Sequence, residues 1–267
     1  MITEIKPKRM LAILAHPDDE SFAIGGTLAK YAHQGVQVTL LCATRGEAGI
    51  SGVTPEEAGS IREAELRKAA EHLGIDVYFL GFQDGELAQT KPETLLKTIA
   101  GWIDRVQPQV ILTFGPDGVS GHPDHVTISH IVTQAYDLYY KNGLLLYIRP
   151  SEATALGCGV TSSDTDAGHP QVEIDISDYK LNKILAIQSH ASQDPGLPGK
   201  PEEELGKIPC TELYSVARNL ITTQNFPDWF EMRKEEAMIA IPEQQDMIPA
   251  TADDTVSNAL RALSTDR

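Results

Sequence analysis

The chain has 267 residues, 41% of them hydrophobic, which is enough for one large domain with a sizeable core. Its formal net charge is -16 and it carries no run of Lys or Arg, so it has no general attraction for nucleic acid or an anionic membrane. No apolar stretch approaches the roughly 20 residues of a membrane span, and Met1 to Arg9 is charged rather than signal-like, so a soluble, cytoplasmic protein is expected.

Met10–Ala15 is an apolar run of strand length that ends abruptly in His16-Pro17-Asp18-Asp19-Glu20. A helical pattern follows from about Ile24 to Gln34 and stops at Gly35. Val36–Ala43, rich in β-branched residues, reads as the second strand. Thr44–Gly59 is polar and glycine-rich, a loop at that strand's carboxyl end. Ser60–Leu73 has helical periodicity, with Gly74 as its stop. Val77–Gly81 is the third strand and Phe82–Leu87 a loop. Pro92–Val106 is helical, Val110–Phe114 is the fourth strand and Gly115–Gly121 a loop. A helix from about His122 to Tyr140 leads to a fifth strand, Leu144–Ile148.

This alternation predicts an α/β fold: a Rossmann-like, doubly wound, mostly parallel sheet with helices on both faces. The continuously apolar strands fit a sheet covered on both sides. In the order 3-2-1-4-5, strands one and four are neighbours at the switch point, where ligands of such sheets bind. Their carboxyl ends carry His16-Pro17-Asp18-Asp19 and, past a short loop, His122-Pro123-Asp124-His125. The C-terminal third is less regular. Val172–Ile176 alternates like a strand with one exposed face, Asp178–Gln188 is helical and leads to His190, Asp194–Pro209 reads as a loop or lid, and Thr211–Ala217 as a short strand. Residues from about Ile241 are expected to be poorly ordered. The whole chain, 1–267, is read as one domain, with a core of about 8–195 and a C-terminal extension of about 196–267. The three cysteines, Cys42, Cys158 and Cys210, are scattered and odd in number, which favours reduced thiols over a disulfide or thiolate metal site.

The two polar clusters carry the chemistry. A catalytic Zn²⁺ typically takes three ligands from His and Asp/Glu and leaves one position for water. His16, Asp19 and His125 supply such a set. Asp18 remains as a second carboxylate, able to take a proton from water acidified by the metal. His122 stands one helical turn before His125 and faces the same site; protonated, it would stabilise an oxyanion or protonate a leaving amine, with Asp124 to orient it. Together these groups describe metal-assisted hydrolysis of an amide or ester. The bland alternatives are helix N-terminal carboxylates for Asp18, Asp19 and Glu20, and capping or surface residues for His122 and His125. Two such clusters at matching strand ends, in a chain with 8 histidines, favour a site.

Ala15-His16-Pro17-Asp18-Asp19-Glu20 with Gly25-Gly26-Thr27 resembles the hallmark of the LmbE-like / PIG-L family of zinc-dependent N-acetylglucosaminyl de-N-acetylases. The resemblance continues through Thr44-Arg45-Gly46-Glu47, Arg62 with Glu65-Leu66, Gly81-Phe82 with Asp84-Gly85, His122-Pro123-Asp124-His125, and His190 with Ser192-Gln193. It implies His16, Asp19 and His125 as ligands of Zn²⁺ or another divalent ion such as Fe²⁺, Asp18 as general base, and His122, supported by Asp124, as acid or oxyanion stabiliser. It further implies that Arg62, otherwise a solvated helix charge, reaches the site to bind sugar hydroxyls or a substrate carboxylate or phosphate. Glu47 and Asp84 would contact sugar or support the ligands, and His190 would close the pocket wall or serve structure. The implied partner is a small amino-sugar conjugate, with assembly into trimers or hexamers. Amide cleavage of thiol-sugar S-conjugates is a neighbouring activity of the same site. A dinucleotide-binding oxidoreductase is disfavoured because the first corner lacks G-x-G-x-x-G. A purely structural zinc is disfavoured because such sites are usually closed by four ligands, often cysteines.

Overall fold

A computed structural model describes residues 7–140, 143–150, 171–193 and 196–219. Its sheet is built outward from β1 (Arg9–Leu14), whose residues from Met10 onward have no exposed surface. A strand that is apolar on both faces belongs in the interior of a sheet covered on both sides. β1 accordingly pairs in parallel with β2 (Gln37–Cys42) on one side and β4 (Val110–Phe114) on the other. β3 (Asp76–Phe79) adds in parallel to β2, and β5 (Leu144–Arg149) to β4. The order 3-2-1-4-5 is therefore as expected. Past β5 the sheet turns antiparallel: β7 (Thr211–Asn219) lies beside β5, and β6 (Gln171–Asp175) forms the edge. β6 alternates exposed and buried residues, as a strand with one covered face should.

The helices are α1 (Asp19–His33), α2 (Pro55–Leu73), α3 (Pro92–Val106), α4 (Pro123–Tyr139), α5 (Lys180–Ser189) and a short α6 (Pro201–Glu204). α1, α2 and α5 pack together, and α3 packs on α4, which gives the two helical layers of a doubly wound sheet.

Two helices start earlier than the sequence periodicity indicates. α1 begins at Asp19 because the Asp18 carbonyl already accepts from the N–H groups of Ser21 and Phe22. α2 begins at Pro55, inside the expected Thr44–Gly59 loop. There the Thr54 hydroxyl accepts from the Glu57 N–H, and the Glu57 carboxylate accepts from the Thr54 N–H. That capping box, with proline in the first helical turn, satisfies donors the helix start would leave unpaired. The Asp194–Pro209 segment is not loop throughout; it contains α6 and a 3₁₀ turn at Leu205–Lys207. Cys42 is buried and free, and Cys210 is exposed and free. Cys158, His169 and the tail from Ile241 lie outside the described residues. Among the described residues no helix is long and apolar enough to cross a membrane.

Candidate metal centre at the switch point

The chain leaves β1 through Ala15 and turns sharply at Pro17-Asp18. Asp19, the first residue of α1, accepts the His16 N–H on Oδ2 at 2.7 Å, which folds the corner back on itself. β4 ends alongside, and α4 returns from its loop with His122 as N-cap and Asp124 and His125 in the first turn. The His125 ring stacks on Phe114, the last residue of β4, with centroids 4.1 Å apart and planes 5° from parallel. The loop must pass under that ring, and it does so at Gly118, whose φ is 70° and where a Cβ would press on His125 and the Val126 backbone.

Three donor groups converge. His16 Nδ1 is 3.1 Å from His125 Nε2 and 3.7 Å from Asp19 Oδ2, and His125 Nε2 is 3.3 Å from Asp19 Oδ1. Tetrahedral zinc with bonds near 2.0–2.1 Å places its ligand atoms about 3.3 Å apart. The ring nitrogens facing away from this point are held by other partners. His125 Nδ1 donates to the Gly118 carbonyl at 3.1 Å, which leaves Nε2 its lone pair in the neutral ring. His16 Nε2 lies 3.0 Å from Asp84 Oδ1 and 3.2 Å from Asp124 Oδ2. A ring nitrogen between two carboxylates must carry its hydrogen, so Nδ1 is the free ligand atom of His16.

Among the described residues, two triplets have ligand-capable atoms that all lie within 4.8 Å of one another, His16/His122/His125 and His16/Asp84/Asp124. The second triplet surrounds the protonated nitrogen and fits a supporting role better than a coordinating one. Asp124 is fully buried and also accepts the N–H groups of Gly85 at 2.8 Å and Leu87 at 3.1 Å. Its link to His122 runs through the backbone: the Asp124 N–H donates to His122 Nδ1 at 3.2 Å. The carboxylate expected to orient His122 is thus bonded to His16 instead. Asp84 is drawn into the centre by His16 and accepts the Ala48 N–H on its other oxygen at 2.9 Å.

The charges of this cluster tune one another. Burial lowers the pKa of His16, but hydrogen bonds to Asp124 and Asp84 and the charge of Asp19 outweigh it and raise the value to about 10. Burial raises the Asp19 carboxyl, yet His125 and His16 bring it down to about 2. His125 is raised, because Asp19 outweighs its burial.

Asp18, next to Asp19 in the chain, has a backbone conformation rare for a residue with a side chain, φ 120°. Burial and the adjacent Asp19 charge lift its carboxyl to about 7, against the opposing charge of Arg62. Arg62 is not a solvated helix charge. It is 4% exposed, and its Nη2 donates to the Pro17 carbonyl at 2.5 Å and to Asp18 Oδ2 at 3.0 Å. Its Nη1 reaches the Gly46 carbonyl at 3.4 Å, so the loop after β2 lies over the guanidinium.

His122 sits at the exposed rim, its ring 4.8 Å from that of His16 and 5.1 Å from that of His125. Its pKa is lowered, by burial first and then by the charges of His16 and His125. Because Nδ1 accepts a backbone N–H, the neutral ring carries its proton on Nε2. The lowered pKa favours the neutral ring over the protonated one.

Two of the expected residues are not in the cluster. Glu47 folds back on its own loop and accepts the Arg45 N–H at 3.2 Å. His190 is fully buried behind the corner, with Nε2 2.8 Å from Glu20 Oε1 and 3.3 Å from Ser21 Oγ. The residue that sequence reasoning passed over is Glu20, fully buried, whose Oε2 accepts the Asp18 N–H at 3.0 Å. A third consecutive acidic residue with no solvent to face was the available signal.

The fold and this centre define a doubly wound α/β protein with a histidine–carboxylate site at the switch point. The profile described as PIG-L: GlcNAc-PI de-N-acetylase matches residues 11–136. The chain is 30% identical over 192 residues to a probable N-acetyl-alpha-D-glucosaminyl L-malate deacetylase 2 of Bacillus anthracis, covering 70% of this chain and 81% of the relative. It is 31% identical to a 1D-myo-inositol 2-acetamido-2-deoxy-alpha-D-glucopyranoside deacetylase of Nakamurella multipartita, covering 84% of this chain and 93% of the relative. Among solved structures, the N,N'-diacetylchitobiose deacetylase of Pyrococcus horikoshii shares the fold at TM-score 0.60 and 23% identity, over 79% of this chain and 84% of that one. The 4-carboxy-2-hydroxymuconate hydratase GalB of Pseudomonas putida KT2440 does so at TM-score 0.60 and 23% identity, over 80% of this chain and 98% of that one. The chain belongs to the PIG-L family of de-N-acetylases.

Proposed function

We propose that the protein is a metal-dependent hydrolase that releases acetate from the 2-acetamido group of an N-acetylglucosaminyl conjugate or a related amino sugar. The observation that carries the reading is the convergence of His16 Nδ1, Asp19 and His125 Nε2 at mutual distances of 3.1–3.7 Å, with Asp18, the chain neighbour of Asp19, held by Arg62 at 3.0 Å. The donor set of two imidazoles and one carboxylate suits Zn²⁺ and also Fe²⁺. A cation held there would supply Lewis acidity, polarising the acetyl carbonyl and acidifying water.

The side chains supply the rest. Asp18 accepts the proton of the attacking water. His122 offers its Nε2–H to the oxygen that becomes negative as the carbonyl is attacked. The proton taken up by Asp18 is then available to the departing amine. Arg62 fixes the Asp18 carboxylate by donating to Oδ2. Asp124 and Asp84 keep the His16 ring in the tautomer that leaves Nδ1 free. The family relatives named for glucosaminyl malate and glucosaminyl inositol support the substrate class, since both names describe an acetamido sugar on a polar aglycone.

The test is acetate release from a panel of N-acetylglucosaminyl conjugates, with a thiol-sugar S-conjugate alongside, using as-purified, chelated and zinc-restored protein. Release that disappears on chelation and returns with zinc is the expected result. Asp18→Asn should keep its metal and lose about 10²–10⁴-fold in turnover, the range for removing a general base. Unimpaired Asp18→Asn would remove Asp18 from the role.

A further inference from the structure

The catalytic corner rests on a buried carboxylate with no access to substrate. Asp18 has φ 120° and ψ -31°, a backbone state that persists in a residue with a side chain only when its surroundings enforce it. The preceding carbonyl, of Pro17, and the Asp18 carboxylate are both gripped by Arg62 Nη2, at 2.5 Å and 3.0 Å. The Asp18 carbonyl accepts from Ser21 and Phe22. The remaining backbone group, the Asp18 N–H, is taken by Glu20 Oε2 at 3.0 Å.

Glu20 is itself fixed. It has no exposed surface, and its Oε1 accepts from the Ser21 hydroxyl at 2.5 Å and lies 2.8 Å from His190 Nε2. His190 is the C-cap residue of α5, a helix packed on both α1 and α2. A chain of contacts thus runs from α5 through His190 and Glu20 to the backbone of Asp18.

From this geometry we infer that Glu20 is a positioning residue: clamped by His190 and Ser21, it holds the Asp18 N–H and so keeps the Asp18 carboxylate aimed at the centre. The inference rests on the reading of Asp18 as the water-activating base. The Glu20 charge also helps to raise the Asp18 carboxyl, but the positioning role needs only an acceptor at the Asp18 N–H. A glutamine can fill that role, with its oxygen toward the Asp18 N–H and its amide toward Ser21 Oγ and a His190 ring that presents Nε2 as acceptor. A methionine of similar length cannot.

The experiment compares crystal structures, metal content and acetate-release kinetics of wild type, Glu20→Met, Glu20→Gln and Asp18→Asn, with the probe conjugate on which wild type turns over. Glu20→Met should retain its metal and KM, lose about 10–100-fold in kcat, the scale of an ångström-sized misplacement, and show Asp18 relaxed from φ near 120° with its carboxylate withdrawn from Arg62. Glu20→Gln should keep the wild-type Asp18 geometry and recover most of kcat. If Glu20→Met does not fold, Glu20→Asp replaces it, since it keeps the charge and withdraws the acceptor by one methylene; it should behave as Glu20→Met does. An unmoved Asp18 in Glu20→Met overturns the inference, as does Glu20→Gln falling as far as Glu20→Met. Full turnover of Glu20→Met beside an inactive Asp18→Asn overturns it too. Full turnover of Asp18→Asn instead sinks the base reading, and the Asp18 geometry in the variants still judges the positioning.

Discussion

His16 Nε2 lies 3.2 Å from Oδ2 of Asp124, a residue 108 positions further along the chain with no exposed surface. Through the same carboxylate Asp124 also holds the N–H groups of Gly85 and Leu87, so one side chain ties the corner after β1, the loop after β3 and the first turn of α4 together. Its chemical consequence is the tautomer of His16, and hence which nitrogen faces Asp19 and His125.

Asp124→Ala should therefore weaken metal binding without touching a ligand. Loss of a partner that orients a metal-binding histidine typically costs about 10–100-fold in affinity. Competition against a chromophoric chelator measures it. An unchanged affinity would mean that Asp84, 3.0 Å from the same nitrogen, suffices to set the ring.

Metal uptake should expel a proton. Without metal the pKa of His16 is raised to about 10, so near pH 7 the ring is protonated on both nitrogens; His125 is raised as well, so a one-proton slope is the minimum. A cation needs the Nδ1 lone pair and must displace that proton. The sign follows: raising the pH removes the competitor, so apparent affinity should rise at least about tenfold per pH unit from 7 and level off as pH passes 10. Chelator competition at fixed ionic strength across pH 7–9 checks this, and a flat profile would contradict it.

Much of the fold was legible because its signal is local. Each parallel strand is an unbroken apolar run, each is followed by a helical pattern, and the switch-point rule then brings His16 and His125 together without any structural knowledge. The start of α2, which periodicity places at Ser60, is marked in the sequence by a different signal: Thr54-Pro55-Glu56-Glu57 spells a capping box with proline in the first turn. What the sequence hides is set by distant partners. The early start of α1 depends on the left-sided φ of Asp18, which Arg62 and Glu20 enforce from outside the local pattern. The insertion of β7 between β5 and β6 depends on antiparallel pairing across a long separation, for which no periodicity speaks. The role of Asp124 was misplaced for the same reason: proximity in sequence pointed to His122, while its carboxylate reaches across the sheet end to His16.

Arg62 tests whether the guanidinium serves substrate or base. Its two terminal nitrogens already meet the Pro17 and Gly46 carbonyls and Asp18 Oδ2, and it is almost wholly buried. A lysine offers one compact ammonium in place of a planar fork and cannot serve these acceptors at once. Arg62→Lys should lower kcat by about tenfold or more and leave KM nearly unchanged. Steady-state kinetics decide it: a rise in KM at constant kcat would return Arg62 to the substrate.

A second buried network stabilises α1 away from the chemistry. Glu212 on β7 accepts from Lys183 Nζ at 2.5 Å, from the N–H groups of Gly26 at 3.0 Å and Thr27 at 2.8 Å, and from the Tyr214 hydroxyl at 3.4 Å. Both charged residues are 5% exposed. The Gly25-Gly26 pair lets α1 pack closely here, because a Cβ on Gly26 would run into Ile176. The two partners of the ion pair should not be equivalent. Glu212→Ala strands a buried ammonium and removes the acceptor of two helix N–H groups, so it should destabilise by about 3–5 kcal/mol. Lys183→Met leaves Glu212 with its two backbone donors and the Tyr214 hydroxyl, so its effect should be smaller. Urea unfolding of the two variants gives the comparison. Equal losses would mean that the ion pair, rather than the carboxylate's hold on α1, carries the stabilisation.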